Sequence, residues 1–254
     1  QASLVLLLLD RGTDPTSLNK DRGTLLHSVA VGGLEKGLER PFDLDLAVNR
    51  LDRYGRAAVE LAAVHGPETV LAALIAHSAN PHVAGKNGRT ALHRLARRDS
   101  STGLALLLDH GAEVKSQDRL GETALHWAAR FGAVESLDVL LDHGAPADKL
   151  DRNGRTPLVA ALAAGQHAAV DRLTKVDTGL KQADGNGATP LHWAAGARHV
   201  VAVTRLLQAE VPPDATDQLG RTALHWAAKV SDNGEICRTL IAAGADIDAR
   251  DMAG

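Results

Sequence analysis

The sequence predicts an all-α repeat solenoid, in which helix–turn–helix units joined by hairpin finger loops stack side by side along all 254 residues. Three observations lead there. Gly55, Gly88, Gly121, Gly154, Gly187 and Gly220 follow one another at intervals of 33 residues. Around them one phrase recurs: Asp118-Arg-Leu-Gly-Glu-Thr-Ala-Leu-His-Trp-Ala-Ala129, Asp184-Gly-Asn-Gly-Ala-Thr-Pro-Leu-His-Trp-Ala-Ala195 and Asp217-Gln-Leu-Gly-Arg-Thr-Ala-Leu-His-Trp-Ala-Ala228. Finally, aromatic residues make up only 2% of a chain that is 44% hydrophobic. A single round core leans on large rings for its volume, whereas thin stacked layers are filled by Ala and Leu.

Each unit follows in order. Residues 1–18 read as the end of a repeat, with a second helix from Ala2 to Gly12. Residues 19–51 are a degenerate repeat led by Gly23, only 32 before Gly55, so one turn residue is missing. Pro41 falls where its second helix should present paired leucines, which shortens or distorts that helix. Full repeats occupy 52–84, 85–117, 118–150, 151–183, 184–216 and 217–250, and 251–254 opens a further one.

The physics of one unit is clearest at 118–150. A first helix covers Leu125 to Phe131, its alanines allowing close backbone approach, and Gly132 ends it in the left-handed conformation. Val134, Leu137, Leu140 and Leu141 then recur at helical spacing up to Gly144. Leu140-Leu-Asp-His-Gly-Ala145 repeats Leu107-Leu-Asp-His-Gly-Ala112. In 151–183 and 184–216, Thr156 before Pro157 and Thr189 before Pro190 pair an N-cap with proline at the first helical position. The 151–183 repeat has Val159 in place of histidine and lacks paired leucines and a terminal glycine near 174–177, which predicts the least stable second helix. In 217–250, Ser231 to Gly234 hold one inserted residue, so Gly254 follows Gly220 by 34. The residues leading to each Asp-x-x-Gly carry turn formers.

The 33-residue period and the Thr-Pro-Leu-His-x-Ala phrase together resemble the ankyrin repeat. The resemblance covers essentially the whole chain and implies a single repeat domain, 1–254, of L-shaped units with two antiparallel helices and a β-hairpin finger. It implies a concave groove, lined by fingertips and first helices, where partners commonly bind. It also implies that His27, His93, His126, His192 and His225, which share one slot, bond to the backbone of a neighbouring finger and are not ligands.

Nothing in the residues reads as a catalytic, cofactor or metal site. There is no HExxH, no Cys/His cluster, no paired carboxylates facing a cleft and no G-x-x-x-x-G-K-[ST] loop. The aspartates before each repeat glycine are turn formers. The one cysteine, Cys237, in the second helix of the 217–250 repeat, excludes an internal disulfide and reads as a small packing hydrophobe; this suits a reducing, intracellular compartment, most simply the cytoplasm. The apolar run Leu4 to Leu9 is far short of a membrane span, so no membrane insertion is expected. Trp127, Trp193 and Trp226 share the slot beside the histidine and either fill space between first helices or present an edge to the groove.

Charge carries the functional signal. The resemblance places Arg53, Tyr54, Arg56, Lys86, Arg89, Arg97, Arg98 and His110 in groove slots, followed by Arg119, Arg130, Phe131, His143, Arg152, Arg155, Arg221 and Lys229. Twelve of the groove slots hold Arg or Lys and one, Glu122, is acidic, while the chain has 28 basic against 31 acidic residues and a net charge of -3. Such a groove fits an acidic or phosphorylated segment of a protein partner, because guanidinium forks grip carboxylate and phosphate. The competing reading is a solvated face neutralised by the finger aspartates. Two other functions stay open: an accessory arm of a larger enzyme, effector or channel, and weak nonspecific binding to nucleic acid or anionic lipid. The scarcity of stacking aromatics disfavours specific single-strand recognition. As a fragment the chain is expected to be monomeric.

Overall fold

A computed structural model describes residues 17–33, 47–176 and 178–253. The expected helix at 2–12 and the expected distortion around Pro41 lie outside these residues. The chain divides into two compact units, Gln1–Arg119 and Leu120–Gly254.

The first unit contains α1 (Leu25–Gly32), α2 (Ala58–His65), α3 (Glu68–Ala76), α4 (Ala91–Arg98) and α5 (Ser101–Asp109). First helices stack on first helices, α1 on α2 and α2 on α4, while α3 packs on α5. The second unit repeats the pattern with α6 (Ala124–Phe131), α7 (Val134–Asp142), α8 (Pro157–Ala163), α9 (His167–Leu173), α10 (Pro190–Gly196), α11 (Val200–Gln208), α12 (Ala223–Ala228) and α13 (Gly234–Ala242). There α6, α8, α10 and α12 form the inner row and α7, α9, α11 and α13 the outer one. No helix among the described residues is long and apolar enough to cross a membrane.

The interior is made of small and aliphatic side chains at fixed slots. Leu92, Leu95, Leu104 and Leu107 are fully buried in the first unit, and Leu125, Leu137, Leu140 and Leu191 in the second. Each such leucine contributes about 1.5–3 kcal/mol by leaving water. Alanines such as Ala62, Ala63, Ala128, Ala129, Ala194 and Ala195 have almost no exposed surface, and it is their size that lets neighbouring helices approach.

The fingers are tight turns, and the only β-pairing among the described residues is an isolated antiparallel bridge between Ala84 and Thr90. A carboxylate does the work that a longer strand ladder would do. Asp151 Oδ1 accepts the N–H groups of Asn153 and Arg155 at 2.8 and 2.9 Å, and Asp217 Oδ1 accepts those of Leu219 and Arg221 at 2.9 and 3.0 Å. The repeat glycines from Gly55 to Gly220 sit at φ between +72° and +78°, where a side chain is strained. At Gly154 a Cβ would also come within 2.5 Å of the Gly185 nitrogen in the next finger. That close approach is what lets one finger bond to the next: in the second unit Arg152 N–H donates to Leu120 O at 2.9 Å, Gly185 to Asn153 at 2.7 Å and Gln218 to Asn186 at 2.8 Å.

Local departures follow the irregularities of the sequence. With a turn residue missing before Thr24, Arg22 takes the left-handed conformation, at φ +58°. The helix α9 is seven residues long, against nine in α3, α5, α7, α11 and α13. Around the inserted residue α12 ends after six residues, and Asp232 takes φ +58° before α13 begins.

Candidate partner-binding face

The histidines that share a slot are structural. In five repeats a threonine N-caps the first helix and its backbone N–H and hydroxyl both lie against Nδ1 of the histidine three residues on: Thr24–His27, Thr90–His93, Thr123–His126, Thr189–His192 and Thr222–His225, each with Oγ1–Nδ1 at 2.9 Å. An Nδ1 that accepts an N–H carries no proton, so Nε2 is the donor. It reaches the following finger, from His27 to Arg56 O at 3.0 Å, His126 to Arg155 O at 3.0 Å and His192 to Arg221 O at 2.9 Å. Burial holds His27 and His192 below the ordinary imidazole pKa, against the opposing pull of those carbonyls. They are neutral rungs tying inner helix to finger. Among the described residues no group of His, Cys, Asp and Glu is arranged to hold a metal ion.

The cations of the first unit divide by what they touch. Arg56 is paired with Asp52 at 2.7 Å. Burial alone would raise the Asp52 pKa, but the Arg56 backbone N–H, the Arg56 guanidinium and the Tyr54 N–H outweigh it and hold the carboxylate below its usual range. The 85–117 finger has Gly85 where its neighbours have aspartate, and Arg89 reaches Asp118 at 3.5 Å instead. Arg98 Nη1 donates to Ala63 O at 3.0 Å and Gly66 O at 3.4 Å, which places its charge on the C-terminus of α2. Arg97 is exposed in the last turn of α4. His110 is exposed, with Nδ1 2.8 Å from Leu106 O one turn back. At the fingertips, Arg53 pairs with Asp21 at 2.6 Å and lies 4.8 Å from the Tyr54 ring centroid, with Arg56 at 4.7 Å from the same ring. Lys86 and Arg119 occupy the same fingertip slot as Arg53, are exposed, and have no ion-pair partner among the described residues.

In the second unit the same division holds. Arg155 and Arg221 pair with Asp151 and Asp217 at 2.9 and 2.7 Å. Asp217 is brought to about 2: burial pushes it up, and hydrogen bonds from the Arg221 side chain and backbone, from Trp226 and from Leu219 prevail. Arg130 is paired with the buried Glu122, the one acid in the predicted set. His143 repeats the contact of His110, with Nδ1 2.8 Å from Val139 O. Arg152 is exposed at its fingertip, and Lys229 just after α12; neither has an ion-pair partner among the described residues.

The tryptophans differ in exposure. Trp127 is 5% exposed and packs on the exposed ring of Phe131, centroids 5.9 Å apart. Trp193 and Trp226 are half-buried and meet edge to face at 5.3 Å. Their indole N–H groups donate to Asp184 and Asp217 at 3.0 and 3.1 Å, and the Arg221 guanidinium lies 5.3 Å from the Trp226 centroid. Beside them is a cleft of about 390 Å³, walled by Leu162, Ala163 and Val230 as well as the two indoles, with Arg221 and Lys229 among its lining residues. The slots that hold arginine or phenylalanine on α4 and α6 hold Gly196 and Ala197 here. Cataloguing groove slots by charge passes over this cleft, because its signal is the smallness of two residues beside two large ones.

The family model for ankyrin repeats (3 copies) matches residues 92–182 and 159–251, well over half of the chain. A comparison with curated proteins returned no match.

Proposed function

The chain belongs to the ankyrin repeat family, whose repeats generally mediate protein–protein interaction and are typically non-catalytic, and on that premise we propose that it is an interaction module whose fingertip cations hold an acidic or phosphorylated segment of a protein partner. One observation carries this reading. Cations just after the repeat glycine are neutralised by finger aspartates, whereas Lys86 and Arg119 in the first unit and Arg152 in the second, two residues before it, stand in solvent with no ion-pair partner among the described residues. Standing without an ion-pair partner among the described residues in a chain of net charge -3, these cations support the attraction of an anionic segment to the fingertips. The paired cations after the glycine fit the neutralised-face alternative, whereas Lys86, Arg119 and Arg152 support the binding reading.

The test is titration with a fluorescently labelled hexaglutamate peptide and with a phosphoserine peptide, against wild type and the variant K86E/R119E/R152E. Binding should weaken with added salt and fall by about tenfold or more in the variant, a loss of about 1.4 kcal/mol, with unchanged thermal unfolding because all three positions are exposed. Equal affinity of the two proteins overturns the proposal. So does equal binding of a short DNA duplex of matched charge, which would mark a nonspecific polyanion site. Charge reversal at Arg98 or Arg130 is unsuitable, since both make intrachain contacts that hold the fold.

A further inference from the structure

We propose that the cleft beside Trp193 and Trp226 is a receptor for an aromatic side chain flanked by acidic residues on the partner segment. This rests on reading the fingers and inner helices as the partner-binding face, and it adds a second, apolar determinant there.

The chain itself supplies the template for the occupant. On α6, Trp127 is followed four residues later by Phe131, whose ring packs against it. On α10, Trp193 is followed four residues later by Ala197, and Gly196 stands where α6 has Arg130. A Cβ at Gly196 would lie 3.1 Å from the Trp226 ring, so even the smallest side chain there would press on the second indole. The niche that Phe131 fills in its own repeat is therefore vacant in this one. At about 390 Å³ the cleft is at the small end of ligand pockets, large enough for a ring and part of its backbone. Both indoles are already held by their bonds to Asp184 and Asp217, so an incoming ring meets an ordered surface with little left to organise.

Charge selects the neighbours of that ring. Two edge-to-face tryptophans could instead form a cage for a cation, but here the Trp226 ring already carries the Arg221 guanidinium and Lys229 is among the residues lining the cleft. A cationic occupant would meet both charges at close range. Arg221 is compensated by Asp217, whereas Lys229 has no ion-pair partner among the described residues and is placed to take a carboxylate next to the bound ring.

The experiment uses nitrogen-15 labelled protein, whose three tryptophans each give one indole N–H resonance. A blocked tripeptide with phenylalanine between two glutamates should shift the Trp193 and Trp226 resonances in a saturable manner and leave buried Trp127 unmoved. Replacing the phenylalanine by alanine, or the glutamates by lysines, should weaken the titration by about tenfold or more. The substitution Ala197→Phe, which copies the Trp127–Phe131 pair, should abolish it; Lys229→Glu should transfer the preference to the lysine-flanked peptide. Equal response to the phenylalanine and alanine peptides, or unchanged binding in either variant, overturns the proposal. Run alongside, K86E/R119E/R152E separates the two readings: indole shifts persist there when the cleft acts on its own, whatever becomes of binding at the fingertips.

Discussion

At the scale of single residues, the threonine–histidine pair makes three contacts in a space where water cannot replace them, and the one repeat of the first unit that lacks it shows what the pair achieves. In that repeat Glu60 occupies the histidine slot and Ala57 the N-cap. Glu60 is 1% exposed; Oε1 accepts from Arg94 at 3.1 Å, while Oε2 has no hydrogen-bond partner among the described residues. Burial pushes its pKa up, and Arg94 only partly offsets this. The double substitution Ala57→Thr with Glu60→His rebuilds the rung, with Nε2 aimed at the carbonyl of Arg89, the counterpart of Arg56 and Arg155. It should stabilise the protein by about 1 kcal/mol, the usual worth of an N-cap, seen as a higher urea midpoint at unchanged slope. A midpoint at or below that of wild type would mean that the Glu60–Arg94 pair is the better solution at this site. The regular rungs were legible in the sequence because repetition exposes any slot that is always filled the same way. The burial of Glu60 was not, since the arginine that makes it tolerable stands in the tryptophan slot of the next repeat.

At the scale of elements, the described helices end in more than one way, and the ends held by an arginine were invisible to slot counting. Where glycine or another left-handed residue follows, as at Gly33, Gly132 or Asp99, the turn itself satisfies the last carbonyls. After α2 and α9, where the left-handed turn is absent, an arginine from the next repeat supplies the donors, and after α12 the Asn233 amide does so, donating to Ala227 O at 3.1 Å. Gly66 has φ -82°, and Arg98 caps α2; Thr174 is right-handed after α9, and Arg205 Nη1 donates to Asp171 O at 2.8 Å and to Thr174 Oγ1 at 3.0 Å. Arg98 was therefore counted from the sequence as a groove cation when part of its role is a cap. Position in a repeat sets where a side chain starts, while the reach of an arginine across to the neighbouring repeat depends on which carbonyls are left open there. Arg205→Met keeps the apolar stem and removes the donors. It should cost about 1–2 kcal/mol and speed amide exchange in α9 well before α11, the helix that carries the substitution. Uniform exchange across both helices would show that the bond is not what holds the end of α9.

At the scale of the whole molecule, stability in a stacked array is the sum of repeat and neighbour terms, so an ionisation recurring in the repeats acts on both units at once. His27 in the first unit and His192 in the second have pKa values below 6.5 in the fold because burial disfavours the cation. The unfolded chain therefore takes up these protons first, and the stability they represent is complete above about pH 6.5 and declines as pH falls below it. Asp52, Asp151 and Asp217 are held below 3.8, Asp217 at about 2. Their contribution is present above about pH 3.8 and is lost as pH falls below it, for Asp217 through about 2. Glu60 runs the other way: its raised pKa favours the protonated acid in the fold, so it subtracts stability as pH climbs above 4.5. Glu60 opposes two histidines, three aspartates and Glu68, whose pKa is also lowered, and acidification should therefore weaken the protein in two stages, a first decline below about pH 6.5 from the histidine rungs and a second below about pH 4 from the carboxylates. Urea midpoints measured from pH 8 down to 3 at constant ionic strength would show it. A midpoint that rises between pH 7 and 5 would mean that Glu60 dominates and that the neutral histidine ladder is not the main pH-sensitive element of the fold.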